Sequence, residues 1–223
     1  MGKNILSPKQ LKFLELASAT PSIVKNFYLT GGTALAEFYL HHRLSEDIDL
    51  FCEKEEVDQK LVEAYLKKIT PAMEIREIKR SNFLGLYSYQ LVFFDGSKLK
   101  VDFNYYPFLP ISSGKKFGKL KIDSLEDIAV NKVHTIFMKA RSRDYIDLYF
   151  ILKTNKDFSI ERLISLADAK FDWHIDPFQL ASAFLRAKDI TDLPEMLVPF
   201  DPKKMVDFFL TQAKELKSGG FKS

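Results

Sequence analysis

The sequence has a single cysteine, Cys52, so it can form no internal disulfide, and a reducing compartment suits it. Its four histidines, His41, His42, His134 and His174, are scattered. With no H-x-x-x-H and no Cys/His cluster, zinc-ligand spacing is excluded. No run of about 18 apolar residues occurs, so no membrane span is expected. The opening MGKNILSPKQ carries no apolar signal core, and a cytoplasmic location is the expectation. Charge of one sign is also scarce. Lys and Arg total 33 against 30 Asp and Glu, a net +3 that does not mark a nucleic-acid binder by itself. There is no internal repeat and no low-complexity segment. What is abundant is phenylalanine, with twenty copies, which points to a thick aromatic core. Cys52 reads as a core thiol, and the lone Trp173, in FDWHIDPF, as a contact between helices.

The chain of 223 residues is long enough for one large domain or two small ones. Ser7-Pro8 opens a helix, Ser as cap and Pro in the first turn. Phe27–Thr30 predicts a short strand, Thr33–His41 a helix, and Ile48–Cys52 the next strand. An amphipathic helix is expected over Glu55–Ile69, closed by Pro71. Met73–Lys79, Leu84–Phe94 and Lys98–Tyr105 read as strands, with Asp95-Gly96 as the hairpin turn between the last two. Pro107–Lys119 reads as a loop. After Asp123 the pattern turns helical, with helices predicted near 124–140, 143–153, 159–168, 176–187 and 202–217. The expected fold is α+β: a mixed sheet with flanking helices over 1–123, then a helical domain over 124–223 that forms the far wall of a cleft.

The stretch LTGGTALAEFYLHHRLSEDIDLF, Leu29–Phe51, holds two unusual features. Gly31 and Gly32 end one strand and open a helix. Free backbone N–H groups and the helix dipole at such a junction suit a phosphate, and absent side chains let it come close. Thr33 adds a hydroxyl. Gly-Gly at such a place is also ordinary turn chemistry. Asp47 and Asp49 then share one face of a strand, since side chains alternate. A divalent cation with a preference for hard oxygen ligands relieves their repulsion; solvated edge-strand aspartates are the alternative. Two candidates exist for a third carboxylate. Asp95 has a local reason to sit in its turn. Asp102, in KLKVDFNYY, lies between the core residues Val101 and Phe103 and faces the same way as Lys100 and Asn104. It is the better candidate. Three such aspartates can hold two metal ions roughly 3.5–4 Å apart.

With these residues in place, the chain resembles the DNA-polymerase-β-like nucleotidyltransferases. More closely it resembles the AbiEii/AbiGii toxin family, in which a G-G-T-A-L segment, an H-R-x-S-x-D-x-D-L-F run, a later Lys and an Arg-Asp-x-x-Asp pattern recur. The resemblance covers about residues 27–150. It implies Gly31, Gly32 and Thr33 as the phosphate turn, with Arg43 and Ser45 beside the nucleotide, and His42 in the same run. It implies Asp47, Asp49 and Asp102 as catalytic metal ligands for two ions, Mg²⁺ or Mn²⁺. Lys132 is implied as a contact to the triphosphate. Arg143, Asp144 and Asp147 are implied as a supporting layer that orients Lys132 or braces the fold. The short link KARSRD departs from the family spacing, which can shift Arg141 or Arg143.

The implied reaction moves a nucleoside monophosphate from an NTP to an acceptor, either RNA such as a tRNA end or a protein side chain. The implied setting is a bacterial toxin–antitoxin or phage-defence pair, with a cognate antitoxin protein and no membrane partner. Two other readings stand beside it: an antibiotic-type small-molecule nucleotidyltransferase and a non-catalytic nucleotide-binding protein. The basic segment GKKFGKLK, Gly114–Lys121, reads first as a solvated loop and second as a grip for an RNA acceptor.

Overall fold

The computed structural model describes residues 5–53, 56–83 and 85–219. Glu55 and Leu84, expected at element starts, lie outside them. The chain divides into two compact units, Met1–Ser124 and Leu125–Ser223.

The first unit is built on one mixed sheet. Helix α1 (Pro8–Ser18) starts at a capping box: Ser7 accepts from the Gln10 backbone, and Gln10 reaches back to the Ser7 backbone. A short helix α2 (Pro21–Asn26) follows, then strand β1 (Tyr28–Thr30). Helix α3 (Gly31–Leu35) widens into a π turn at Ala36–Leu40 and ends on His41 in the left-handed region. Strand β2 (Asp47–Cys52) leads to helix α4 (Gln59–Met73), then to strands β3 (Ile75–Phe83), β4 (Leu86–Phe93) and β5 (Lys98–Tyr105). A small hairpin closes the unit: β6 (Lys116–Phe117) and β7 (Leu120–Ile122).

Among the described residues the strand order is β3-β4-β5-β2-β1-β7-β6. Strand β2 runs parallel to β5 and antiparallel to β1, and β1 runs parallel to β7. One face of the sheet is apolar. Leu29, Ile48, Leu50, Val101 and Phe103 are fully buried there, and α1 and α4 bring Phe13, Leu14, Val62 and Leu66 to the same core. Phe13 and Tyr65 meet edge to face at 5.8 Å. Each such side chain contributes about 1.5–3 kcal/mol through burial. This layer fixes β2 and β5 and leaves their alternate residues on the opposite face. Cys52 is buried in the core, as expected.

The second unit is helical: α5 (Leu125–Lys139), α6 (Ser142–Thr154), α7 (Ile160–Phe171), α8 (Pro177–Leu185) with a 3₁₀ turn to Asp189, and α9 (Pro202–Gly219). Helix α5 packs on α6, α7 and α8, and α9 packs on α6 and α8. Phe209 seals the center against Tyr145 and Phe184. Among the described residues no helix is long and apolar enough to cross a membrane.

Three expectations need correction. Pro71 does not end α4, which carries it in its last turn and runs on to Met73. The segment after Pro107 is no continuous loop, because β6 pairs with β7. Trp173 is no core contact: it is 58% exposed, because Asp172 turns the chain through the left-handed region and Phe171 and Ile175 take the buried places.

Candidate active site

The polar face of the sheet is set by register. Strand β2 aligns with β5 so that Asp49 lies opposite Asp102 and Asp47 opposite Lys100. On the other side Thr30 of β1 lies opposite Asp49, and on β4 Ser88 lies opposite Asp102. Side chains of paired residues share a face, so Thr30, Asp49, Asp102 and Ser88 form one polar row across four strands. The row extends to Asp123, just past β7, whose carboxylate accepts the Thr30 hydroxyl at 2.7 Å.

The glycine turn abuts this row. Gly31 has φ +73°, which favors glycine, and a Cβ there would stand 2.2 Å from Asp49 Oδ2. The turn therefore rests on the Asp49 carboxylate. A Cβ on Gly32 would stand 2.7 Å from Arg43 Nη2 and 3.0 Å from Ser45 Oγ. Arg43 is 1% exposed and donates to the Leu44 carbonyl at 2.8 Å. The hydroxyls of Thr33 and Ser45 lie 2.9 Å apart, and Thr33 also donates to the Asp47 carbonyl. Thr33, Arg43 and Ser45 thus form a buried bracket that ties the turn to the start of β2. What the turn offers outward is backbone.

Lys100 belongs to this face as well, although no motif in the sequence singles it out. Its ammonium stands 2.5 Å from Asp102 Oδ2 and 3.8 Å from Asp47 Oδ2. Partial burial works against its charge. The Asp102 hydrogen bond and the charges of Asp102, Asp47 and Asp49 outweigh that, and its pKa is held above the usual lysine value. Asp102 Oδ1 also accepts from Ser88 at 2.6 Å. The signal for Lys100 is present in the sequence, since K-x-D in a strand puts both side chains on one face. Its link to Asp47 comes only from the pairing.

Three hard carboxylates on one face fit a divalent cation in chemistry. In spacing they are held apart: among the described residues no group of three His, Cys, Asp or Glu side chains stands close enough to hold a metal ion. A tethered ammonium already neutralizes Asp102 and Asp47, and Asp49 leans on the glycine turn.

A family model described as "Nucleotidyl transferase AbiEii toxin, Type IV TA system" matches residues 16–213. The chain belongs to the AbiEii nucleotidyl transferase toxin family. An uncharacterized Aquifex aeolicus (strain VF5) protein is 26% identical over 196 residues, covering 86% of this chain and 89% of its own. Two Helicobacter pylori structures share the fold. JHP933 aligns at 20% identity and a TM-score of 0.58, covering 96% of this chain and 94% of that one. The other, a nucleotidyltransferase by name, aligns at 21% and 0.60, covering 96% and 97%.

In the helical unit of this AbiEii-family chain, Lys132 on α5 is gripped by α6. Its ammonium lies 2.7 Å from Asp144 Oδ1 and 2.7 Å from Asp147 Oδ2. All three residues are buried. Burial opposes the lysine charge, the two carboxylates outweigh it, and its pKa is raised. Asp144 also accepts the Arg141 backbone N–H at 2.9 Å, which caps the start of α6. Arg143, one residue before Asp144, is half-buried. Arg143, Asp144 and Asp147 are thus together on one helix, and the two carboxylates face the lysine.

Proposed function

We propose that the protein transfers a nucleoside monophosphate from an NTP to an acceptor hydroxyl on RNA or protein, assisted by Mg²⁺ or Mn²⁺, as the toxin of a bacterial toxin–antitoxin or phage-defence pair with a cognate antitoxin. The observation that carries this reading is the register that sets Asp49 opposite Asp102 while Asp49 rests on the Gly31 turn. It supports the reading because a glycine-turn backbone, of the kind that can receive phosphate, lies beside two carboxylates of the kind that can bind a divalent ion.

Asp47, Asp49 and Asp102 would hold the divalent cation once Lys100 withdraws, and the bound ion supplies charge neutralization at the phosphates. The backbone of the Gly31–Gly32 turn receives the β and γ phosphates. The buried bracket of Thr33, Arg43 and Ser45 keeps that turn in place. The acceptor oxygen attacks the α-phosphorus and loses its proton to Asp102. The bond from the α-phosphorus to the bridging oxygen breaks, and pyrophosphate leaves. Positioning and charge neutralization supply most of the acceleration. Lys132, Asp144 and Asp147 brace the helical unit, since the lysine charge is already met by two carboxylates.

The test is Mg²⁺-dependent NTP binding together with transfer of labeled NTP onto tRNA, protein and aminoglycosides, in wild type and Asp49→Ala. Wild type should label RNA or protein. Asp49→Ala should fold and lose more than about 100-fold in transfer, since loss of even an outer partner of a metal site costs about 10- to 100-fold. Undiminished transfer in Asp49→Ala refutes the reading. Mg-NTP binding without transfer to any acceptor makes this a nucleotide-binding protein instead.

A further inference from the structure

A cavity of about 330 Å³ opens in the sheet unit beside the polar row. Lys25, Lys115, Lys116 and Lys121 line it, against Glu53 and Asp123, so its lining is net basic. Its wall is fixed. The loop before β6 crosses β7 so closely that a Cβ on Gly114 would fall 2.0 Å from the Ile122 carbonyl oxygen. Ile122 N–H donates to the Lys115 carbonyl at 3.0 Å, and the Ser112 and Ser124 hydroxyls meet at 2.8 Å.

Two contacts join this cavity to the aspartates. Asp123 lines it and takes the hydroxyl of Thr30, the residue opposite Asp49. Tyr28 also lines it, and Tyr28 is paired with Phe51, two residues beyond Asp49 on the same face of β2. Their rings meet edge to face at 6.2 Å. From Phe51 the rings continue to Tyr106 at 4.9 Å and on to Phe108 at 4.9 Å. All four are half-buried, so each keeps some surface to solvent. A strip of aromatic rings therefore starts at a lysine-lined cavity, passes Tyr28 and Phe51 one row from the carboxylates, and continues past the end of β5.

Rings in series beside ammonium groups are what a single-stranded polynucleotide needs: its bases stack on the rings and its phosphates pair with the lysines. A peptide could use the lysines and would leave the strip of rings unexplained. We propose that this cavity and ring strip form the seat of the acceptor strand, a single-stranded polynucleotide whose terminal hydroxyl is delivered to the Asp49–Asp102 row. The assignment rests on the nucleotidyl-transfer reading above and specifies which residues meet the acceptor.

The experiment uses a fluorescein-labeled single-stranded RNA 12-mer and the full chain, with binding followed by fluorescence anisotropy from 50 to 200 mM salt and without nucleotide. Lys116→Glu with Lys121→Glu, both exposed, should weaken binding at least tenfold. The same pair should flatten the salt dependence by about 0.7 for each phosphate that no longer meets a lysine. Tyr106→Leu should weaken binding about 5- to 100-fold without changing the salt slope. Mg-NTP binding, measured by calorimetry, should be the same in all of them. RNA affinity that ignores both substitutions overturns the proposal, as does transfer confined to protein, or NTP binding that falls while RNA binding holds. A wild type that binds RNA as described but no Mg-NTP would leave this seat standing and remove the transferase reading.

Discussion

Lys100 stands where the proposed divalent cation would bind, and replacing it should change how strongly the aspartates take metal. Its ammonium meets Asp102 at 2.5 Å and Asp47 at 3.8 Å. At an effective dielectric constant of 20, unit charges 4 Å apart interact by about 4 kcal/mol. The lysine side chain is 43% exposed, however, and measured exposed pairs contribute only about 0.2–1 kcal/mol each. Two such pairs make about 0.4–2 kcal/mol in all. A divalent cation that binds Asp47 and Asp102 must displace the ammonium and lose that contribution. Lys100→Met should therefore bind Mn²⁺ about 2- to 30-fold more tightly, a factor that corresponds to about 0.4–2 kcal/mol. Free Mn²⁺ read by electron paramagnetic resonance, without nucleotide, gives the affinity directly. The gain should shrink at high salt, as screening weakens the pairs being removed. Asp102→Asn in the same background should abolish it. Equal or weaker Mn²⁺ binding in Lys100→Met refutes the idea that the lysine competes for the carboxylates.

Two further substitutions separate site from scaffold. Gly31→Ala forces a side chain into φ +73° at a cost of about 1–2 kcal/mol and places a Cβ 2.2 Å from Asp49 Oδ2. Thermal melts should show a fall of only about 2–8 °C, while transfer should fall as far as in Asp49→Ala; retained transfer would mean that Asp49 does not need to rest on the turn. Lys132→Met strands two buried carboxylates, Asp144 and Asp147, at about 3–5 kcal/mol, and the melting temperature should drop by about 6–20 °C. Because the folded lysine pKa is raised, its contribution is complete below the ordinary value of 10.5 and fades only as pH climbs through the folded value. The stability gap between wild type and Lys132→Met should therefore be flat across neutral pH and narrow only under strongly alkaline conditions. An unchanged melting temperature at pH 7 would sink the bracing role.

The elements that carry the site are legible because their cues are local. Ser7-Pro8 marks a helix start, alternation in DIDLFC and KLKVDFNY marks two half-buried strands, and β5 occupies the span the alternation predicts. The misses share a different cause: tertiary contacts. Strands β6 and β7 span two and three residues, too few for a period to register, and exist because β7 docks on β1. Thr33 reads as an outward donor, yet its neighbors Ser45 and Asp47 arrive from another element and draw the hydroxyl inward. For Lys132 the resemblance already implies Asp144 and Asp147 as a supporting layer, and the packing of α6 on α5 sets each carboxylate 2.7 Å from its ammonium.

Register accounts for the rest, and it binds two features that the sequence presents separately. Asp47 and Asp49 are two residues apart on β2, as are Lys100 and Asp102 on β5. In a parallel pair, the alignment that brings Asp102 opposite Asp49 necessarily brings Lys100 opposite Asp47. A slip of one residue would turn the carboxylates to opposite faces and bury charge in the apolar layer, so the packing of Ile48, Leu50, Val101 and Phe103 forbids it. A slip of two would preserve the faces but break the match between Asp49 and Asp102. This fold thus cannot deliver its third carboxylate without also delivering an ammonium to the first. A lysine at position 100 makes the proposed metal-binding set and its internal competitor two consequences of one strand pairing.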